Sequence, residues 1–410
     1  MQAMLREYAQ LLARVGVNVR KGQRVLLSAP LDAAPFARLC AEALYDAGAG
    51  EVLLDWNDDA LSRMRFLCAE DRVFDRLDSW TAARLNGLAE EGAAFLHLHA
   101  SDPEAMRGVD PSRMQRAARA RGTALEPYRR LQTTNAVAWC IGAVPLPAWA
   151  KKVFPDLPGE AAVRALWDAI LQAVRVCGDG GAVDAWRAHI ERMQTRSRTL
   201  TAHAFRCLRY RNGLGTNLTV ALPDRHFWAG GAETCQAGYL FAPNMPTEEI
   251  FTAPRRDGVS GRVVSSRPFC LRGQVIERFA FTLEAGKIVG IEAGSAQEEA
   301  LLRDAVTLDE GASYLGEVAL VPHESPSSRS GLLFYNTLFD ENASCHFAFG
   351  DAYPCVEGGD TMDADGLRAA GLNASITHQD FMVGTADLSV VGVTAEGREV
   401  AVLENGNFAL

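Results

Sequence analysis

Short apolar runs alternate with segments of helical periodicity over the first half of the chain. Residues 5–15 and 36–47 carry apolar side chains at helical spacing. Four runs instead have the length and composition of buried strands: residues 24–30 (RVLLSAP), 51–56 (EVLLDW), 93–100 (AAFLHLHA) and 137–144 (VAWCIGAV). Strands separated by helical segments predict βαβ crossovers. We therefore expect an α/β fold with a largely parallel sheet in this half.

From residue 160 to residue 198 the pattern is helical, through residues 162–176 and 183–193. After residue 198 the pattern changes to short β-type runs divided by Gly, Pro and Asn turns, at residues 218–222, 262–266, 275–283 and 288–293. One further helix is expected at residues 297–307. This pattern of short strands, turns and a helix predicts an α+β domain with a mostly antiparallel or mixed sheet. A chain of 410 residues also exceeds one ordinary core, so we expect two domains, 1–195 and 196–410.

Composition narrows the function classes. The formal net charge is −10, which argues against a nucleic-acid partner. No apolar stretch approaches the length of a membrane span, and the N-terminal residues lack a signal-type apolar region. The nine cysteines are an odd number without a CxxC pair, which indicates reduced thiols and a cytoplasmic protein. No glycine-rich phosphate motif follows a predicted strand, so a nucleotide site is not supported.

Acidic and imidazole side chains concentrate in otherwise apolar segments of the second half. The segments are residues 244–254 (NMPTEEIFTAP), 315–320 (LGEVAL), 339–350 (FDENASCHFAFG) with Tyr353 beyond, and 377–384 (THQDFMVG). His378 and Asp380 lie two residues apart, so on an extended strand they point to the same side. These segments contain almost no Lys or Arg. Burying ionised carboxylates without a partner is costly, and a divalent cation would compensate for it.

Imidazoles with carboxylates, and no thiolates, suit Zn²⁺, Co²⁺ or Mn²⁺. Two imidazoles and three or four carboxylates exceed the needs of one tetrahedral ion. The set fits two ions that share a bridging carboxylate and a water, with a nearby carboxylate to take the proton of that water. Each residue also has a structural alternative. Glu317 could be a surface carboxylate, His346 a core histidine, the His378–Asp380 pair part of a turn, and Tyr353 a packing residue.

At these residues the chain resembles the aminopeptidase T / aminopeptidase S family of bacterial metalloaminopeptidases. The resemblance covers nearly the whole sequence, because several long motifs occur in fixed order. They are residues 16–23 (GVNVRKGQ), 149–158 (WAKKVFPDLP), 213–223 (GLGTNLTVALP), 244–254, 270–273 (CLRG), 315–322 (LGEVALVP), 331–354 (GLLFYNTLFDENASCHFAFGDAYP) and 373–384 (NASITHQDFMVG).

The resemblance implies a two-metal site and assigns its residues. The ligands are Glu249, Glu317, His346, His378 and Asp380, and Glu317 is the expected bridge. Tyr353 matches an active-site tyrosine able to hydrogen-bond a developing oxyanion. Glu341 matches the glutamate of the DENA motif and is carried over as a residue that supports the ligands or acts as general base. We thus expect Tyr353, Glu341 and Glu317 to be the catalytic residues.

The expected function is removal of the N-terminal residue from short peptides by a water activated between two divalent ions. One alternative is a metal-dependent hydrolase of a non-peptide amide. Another is a metal-binding homologue without catalytic activity. Family members form dimers whose active sites face an enclosed cavity, so the resemblance also implies a homodimer.

Overall fold

The computed structural model describes residues 1–100, 102, 104–271 and 274–410. Within it the chain folds into two compact units. Unit 1 comprises Met1–Ala188 and Ala232–Pro246, and unit 2 comprises His189–Gly231 and Thr247–Leu410. The chain thus returns once to unit 1 after first leaving it. The expected division into residues 1–195 and 196–410 has one boundary and no returning segment, and this division stays a prediction.

The described residues form helices and strands in the following order. The helices are α1 (Gln2–Leu11), α2 (Ala34–Asp46), α3 (Asp59–Cys68), α4 (Ser79–Glu90), α5 (Pro111–Ala124), α6 (Glu126–Thr133), α7 (Pro147–Val153), α8 (Gly159–Ala173), α9 (Ala182–Ala202), α10 (Ala296–Val306), α11 (Pro326–Arg329), α12 (Thr337–Asp340) and α13 (Ala364–Ala369). The strands are β1 (Arg24–Pro30), β2 (Glu51–Asn57), β3 (Ala94–His99), β4 (Trp139–Ala143), β5 (Cys207–Arg211), β6 (Asn217–Ala221), β7 (Ala229–Gly230), β8 (Glu233–Thr234), β9 (Leu240–Phe241), β10 (Asn244–Met245), β11 (Ile250–Thr252), β12 (Val259–Val264), β13 (Phe269–Leu271), β14 (Gln274–Ile276), β15 (Phe279–Glu284), β16 (Lys287–Ala293), β17 (Leu315–Leu320), β18 (His346–Gly350), β19 (His378–Met382), β20 (Ser389–Val393), β21 (Glu399–Glu404) and β22 (Asn407–Phe408).

Unit 1 is built on a parallel five-stranded sheet in the order β10-β4-β3-β1-β2. Its inner strands are apolar on both faces, as expected for a sheet covered by helices. Val25, Leu26 and Leu27 of β1 are almost completely buried. The four strands predicted in the first half all exist. The fifth strand, β10, comes from the returning segment and was not predicted.

Unit 2 contains two large antiparallel sheets and the two-stranded antiparallel sheet β13-β14. One has the order β19-β18-β17-β11-β7, and the other has the order β16-β15-β12-β6-β5-β20-β21-β22. A cluster of buried side chains lies between them, including Phe281, Phe347 and Phe381. Rings of this cluster meet edge-to-face, for example Phe281 against Phe381 at 5.5 Å between centroids. This core supports the sheet that begins with β19.

The predicted fold class is confirmed, with a parallel α/β first part and antiparallel sheets in the second. One prediction about an element is wrong: residues 275–283 form no single strand, because β14 ends at Ile276 and β15 begins at Phe279. Each of the eight cysteines whose state is described is a free thiol. Among the described residues, no helix has the length and apolar character needed to cross a membrane.

Candidate metal centre

Three neighbouring strands bring four of the predicted ligands to one face of a sheet. In the antiparallel pairing Ala348 lies opposite both Glu317 and Asp380, and Gly350 lies opposite His378. Directly paired residues share a face, and so do residues two apart on one strand. His346 is two residues before Ala348, so it belongs to the same face. The opposite face carries the phenylalanines of the core.

Glu249 reaches this group from the next strand of the sheet. It immediately precedes β11, which pairs with β17. Its carboxylate Oε2 lies 3.2 Å from His346 Nε2. The described residues therefore contain two overlapping sets of ligand atoms that could each hold an ion. One set is Glu249, Glu317 and His346, and the other is Glu317, His378 and Asp380.

Glu317 belongs to both sets, and its two oxygens are divided between them. Oε1 lies 3.6 Å from His346 Nε2, and Oε2 lies 3.2 Å from His378 Nε2. His378 Nε2 also lies 3.3 Å from Asp380 Oδ1. The carboxylate of Glu317 is almost fully buried in a strand whose every residue is buried. Its two oxygens thus face two different imidazoles.

Both imidazoles are oriented by the backbone. The Nδ1 of His346 lies 3.1 Å from the carbonyl oxygen of Ser344, and the Nδ1 of His378 lies 2.8 Å from that of Asp351. A carbonyl only accepts, so each Nδ1–H donates to it and each Nε2 faces the carboxylates. Second partners of this kind fix the tautomer of metal-binding histidines. No sequence pattern predicts these two contacts.

The charges in this group are strongly coupled. Burial opposes ionisation of Glu317, but hydrogen bonds with His346 and His378 outweigh it and lower the pKa of Glu317 to about 2. Burial likewise opposes the charge on His378, yet its hydrogen bonds to Asp380 and Glu317 raise the pKa of His378 to about 11. Within the described residues, the ion-pair partners of Glu249, Glu317 and Asp380 are these histidines.

This donor set fits a divalent ion. Among the described residues, the two imidazoles are the cationic groups that pair with these buried carboxylates. Nitrogen and oxygen donors without thiolates suit Zn²⁺, Co²⁺ or Mn²⁺. Each Nε2 is the atom that a neutral Nδ1–H tautomer offers to a metal. The residues present would therefore hold such ions through atoms that are already turned toward one another.

Glu341 and Tyr353 lie beside the five predicted ligands. Burial, followed by the charges of Glu249 and Asp380, raises the pKa of Glu341 well above its ordinary value. The ring of Tyr353 meets that of His378 edge-to-face at 5.3 Å. Desolvation, and then the surrounding carboxylates with Glu317 first, raise the pKa of Tyr353. The phenol of Tyr353 therefore stays protonated and able to donate a hydrogen bond at neutral pH.

Two carboxylates of the same segments point elsewhere. Asp340 accepts backbone N–H bonds from Phe334 at 2.8 Å and from Asn336 at 3.0 Å. Glu248 is buried, and its Oε2 lies 3.7 Å from Nε2 of His189, whose ring also contacts the carbonyl of Thr247 at 2.9 Å. His189 and Glu248 thus contact each other rather than the five predicted ligands.

One residue that sequence reasoning missed connects the two sides of the site. Asn342 is completely buried, and its Oδ1 accepts the backbone N–H of Glu248 at 2.6 Å. Its Nδ2 donates to the Leu338 carbonyl at 2.8 Å and lies 3.5 Å from Oε1 of Glu341. The sequence does offer a signal for Asn342, because this amide immediately follows the acidic pair of the DENASCH segment and precedes its histidine by four residues.

Comparison with known proteins gives this arrangement a family. Residues 1–408 match the family model described as thermophilic metalloprotease (M29). The chain belongs to this metalloprotease family. It is 42% identical over 406 residues to aminopeptidase AmpS of Bacillus subtilis (strain 168), covering 99% of this chain and 98% of that protein. It is 43% identical to aminopeptidase 2 of Geobacillus stearothermophilus, covering 99% and 97%.

A solved structure of the family agrees with the fold. The wild-type AmpT structure from Thermus thermophilus superposes with a TM-score of 0.91 at 38% identity, covering 100% of both chains. The predicted resemblance is therefore confirmed. So is the prediction of an enzyme that hydrolyses peptide bonds, since the family is one of metalloproteases and the full-length relatives are aminopeptidases. A metalloprotease needs a divalent metal ion, and the residues described above fit such an ion.

Proposed function

We propose that this protein removes the N-terminal residue from short peptides at a site that holds two divalent ions. The ligands are Glu249, Glu317, His346, His378 and Asp380. The observation that carries the proposal is the division of the Glu317 carboxylate, with one oxygen facing His346 and the other facing His378. A carboxylate shared in this way is the bridge that a two-ion site requires.

The five ligands divide into two sets around that bridge. Glu249 and His346 would hold one ion with Glu317, and His378 and Asp380 would hold the other. When bound, such a pair lowers the pKa of a water molecule toward neutrality and polarises the carbonyl of the scissile bond. The chain contributes a rigid, largely buried face of a sheet, so the donor atoms need little rearrangement.

Two further residues supply proton chemistry. Burial, followed by the charge of Glu249, raises the pKa of the Glu341 carboxyl group, so this carboxylate binds a proton more strongly than an ordinary glutamate and suits the role of a general base. It would accept the proton of the attacking water and deliver it to the leaving amine. The Tyr353 phenol, held against His378, would donate a hydrogen bond to the oxyanion that develops on the carbonyl.

Hydrolysis of leucine p-nitroanilide tests the proposal. We expect turnover that needs added Co²⁺ or Zn²⁺, is abolished by a chelator, and is absent for the N-acetylated substrate, which lacks a free α-amine. Glu317→Gln should reduce the rate by roughly 10²–10³-fold or more, because it removes a group on which the charge stabilisation of the site depends. Glu404→Gln, at an exposed position of β21, is the matched control.

Two results would count against the proposal. Equal cleavage of the acetylated substrate would exclude an aminopeptidase, and a normal rate for metal-loaded Glu317→Gln would exclude the bridge. Peptides of two to ten residues, compared as substrates, test the preference for short chains. A steep fall in rate with length is expected.

We also propose a homodimer in the cytoplasm, on the resemblance to the family and on the free cysteines. Light scattering after size exclusion should give twice the mass of one chain, and a single-chain mass would refute the dimer. Metal analysis of protein purified without added metal would distinguish Zn²⁺, Co²⁺ and Mn²⁺.

A further inference from the structure

A second cavity in unit 2 has a chemical character different from that of the metal centre. Its volume is about 350 Å³. Its polar lining includes the two arginines Arg267 and Arg278, together with His323, Ser266 and Ser328. Among the described residues, no carboxylate lines it. In a chain with a net charge of −10, a cavity whose charged lining among the described residues is cationic is unusual.

Among the described residues, neither arginine of this cavity forms an ion pair with a carboxylate, and the charge of Asp340 acts on Arg267 only from a greater distance. Arg267 donates to the carbonyls of Leu332 and Ala343, both at 3.3 Å. A guanidinium has five N–H donors, so these two long bonds leave donors unused. In the described part of the chain, neither Arg267 nor Arg278 has a carboxylate within 4.0 Å, whereas Arg255 pairs with Asp257 at 2.7 Å and Arg256 with Glu310 at 2.6 Å.

Two serine hydroxyls lie in the wall of the cavity but do not open into it. The Oγ atoms of Ser266 and Ser328 are buried and find no hydrogen-bond partner among the described residues. A ligand in the cavity would therefore meet the guanidinium groups rather than these hydroxyls.

We propose that this cavity binds a small oxyanion, with Arg267 and Arg278 supplying charge-assisted hydrogen bonds. The shared chemistry is that of a phosphate or a small carboxylate, whose oxygens accept several hydrogen bonds at once. A volume of about 350 Å³ lies at the lower end of the range for small-molecule sites.

The cavity is also connected to the metal centre through the chain. Ala343, Ser344 and Cys345 form part of its wall, and His346 follows directly. The Sγ of Cys345 donates to the Val321 carbonyl at 3.1 Å, which holds this wall against the end of β17. An oxyanion in the cavity would therefore contact the segment that carries His346, at a place separate from the ligand atoms themselves.

Calorimetric titration of the metal-loaded protein tests the proposal, with inorganic phosphate in one series and acetate in another. We expect saturable binding of one anion per chain. Arg278→Gln should weaken it by about tenfold or more, the effect of losing a hydrogen bond to a charged group. Arg368→Gln, whose exposed arginine pairs with Asp365 outside the cavity, should leave it unchanged.

The outcomes separate cleanly. Binding of either anion that Arg278→Gln weakens supports the site, and the tighter ligand names its class. No binding of either anion overturns the proposal. Binding that is equally strong in Arg278→Gln also overturns it, because the anion would then occupy the metal centre, where it should compete with leucine p-nitroanilide. Loss of peptidase activity in all proteins would instead point to failure of the proposed function, which this titration does not require.

Discussion

At the scale of single residues, the imidazoles of His346 and His378 are held in the same way. The Nδ1–H of His346 donates to the carbonyl of Ser344, and the Nδ1–H of His378 donates to the carbonyl of Asp351. In both rings the Nε2 faces a carboxylate. This arrangement sets which nitrogen is offered to a ligand before any ligand arrives. The residue types of the site could be predicted from sequence, but these orienting carbonyls could not, because every residue has one.

Asn342 is the residue-level feature with the clearest consequence for activity. Asn342→Ala removes the acceptor for the Glu248 N–H and the donor to the Leu338 carbonyl, and so frees the segments that carry Glu249 and Glu341. We expect kcat to fall by roughly tenfold or more while KM changes little, because positioning of the reacting groups is lost rather than substrate contacts. Steady-state kinetics on leucine p-nitroanilide measures both constants.

The control for this prediction is a partly buried amide, Asn86. Asn86 donates to the Ala124 carbonyl at 3.1 Å and accepts from the Tyr128 N–H at 3.2 Å, within unit 1. Asn86→Ala should destabilise the protein to a similar extent, by about 1–3 kcal/mol, without lowering kcat. If Asn342→Ala kept the wild-type kcat, Asn342 would be a packing residue only.

His97 in β3 predicts how stability depends on pH. Burial lowers the pKa of His97 to about 4, with Asp55 opposing this shift and Arg121 adding to it. The folded state thus prefers the neutral ring. Its contribution to stability is complete above the unfolded pKa of about 6.5 and is lost as pH falls toward 4. This loss amounts to roughly 2–3 kcal/mol between pH 7 and pH 4.5.

Urea unfolding of the wild type and of His97→Gln, which cannot titrate, isolates this contribution. The stability of the wild type relative to the variant should decrease as the pH is lowered from 7 to 4.5. A difference that is constant over this range, or that grows at low pH, would mean that the His97 ring is not held neutral by the fold.

At the scale of elements, a β-bulge aligns the bridging carboxylate. The register between β17 and β18 shifts between Leu315 and Glu317, which leaves Gly316 as the extra residue. A Cβ on Gly316 would lie 2.1 Å from the carbonyl oxygen of Asp351. Only glycine permits this approach, and that same carbonyl accepts the Nδ1–H of His378.

Gly316→Ala should therefore act on the metal centre without touching a ligand. The methyl group must push the Asp351 backbone away, which displaces His378. We expect a lower affinity for Co²⁺, by at least tenfold, in an equilibrium titration followed by activity. Gly87→Ala, where an added Cβ meets no atom within 4 Å, should bind Co²⁺ as the wild type does. Wild-type affinity in Gly316→Ala would show that the bulge has no such role.

The elements differ in how far sequence predicts them. Strands β1, β3 and β4 and long helices such as α8 follow from apolar periodicity, because each buries a run or stripe of side chains. Two-residue strands such as β7 and β10 have no periodicity to read, and they exist only through their neighbours in the sheet. The Gly316 bulge cannot be predicted from the local sequence either, because the need for glycine comes from the Asp351 carbonyl, which is distant in the chain.

At the scale of the whole molecule, the fold class and the peptidase family both follow from the sequence. Residue types and their spacing alone predict a metal site but do not identify a substrate. The long motifs then indicate the family. The returning segment Ala232–Pro246 could not be foreseen, because it is fixed by long-range pairing of β10 with β4. The lining of the oxyanion cavity likewise comes from distant parts of unit 2 and has no local motif.

The proposed chemistry depends above all on one carboxylate joining two ions. Metal content per chain, measured by plasma mass spectrometry after equilibrium dialysis against Zn²⁺ or Co²⁺, tests that bridge without relying on turnover. We predict two ions per chain at saturation for the wild type and for Glu404→Gln, and fewer than two for Glu317→Gln. Saturation of the wild type at one ion, or two ions retained by Glu317→Gln, would contradict a centre bridged by Glu317.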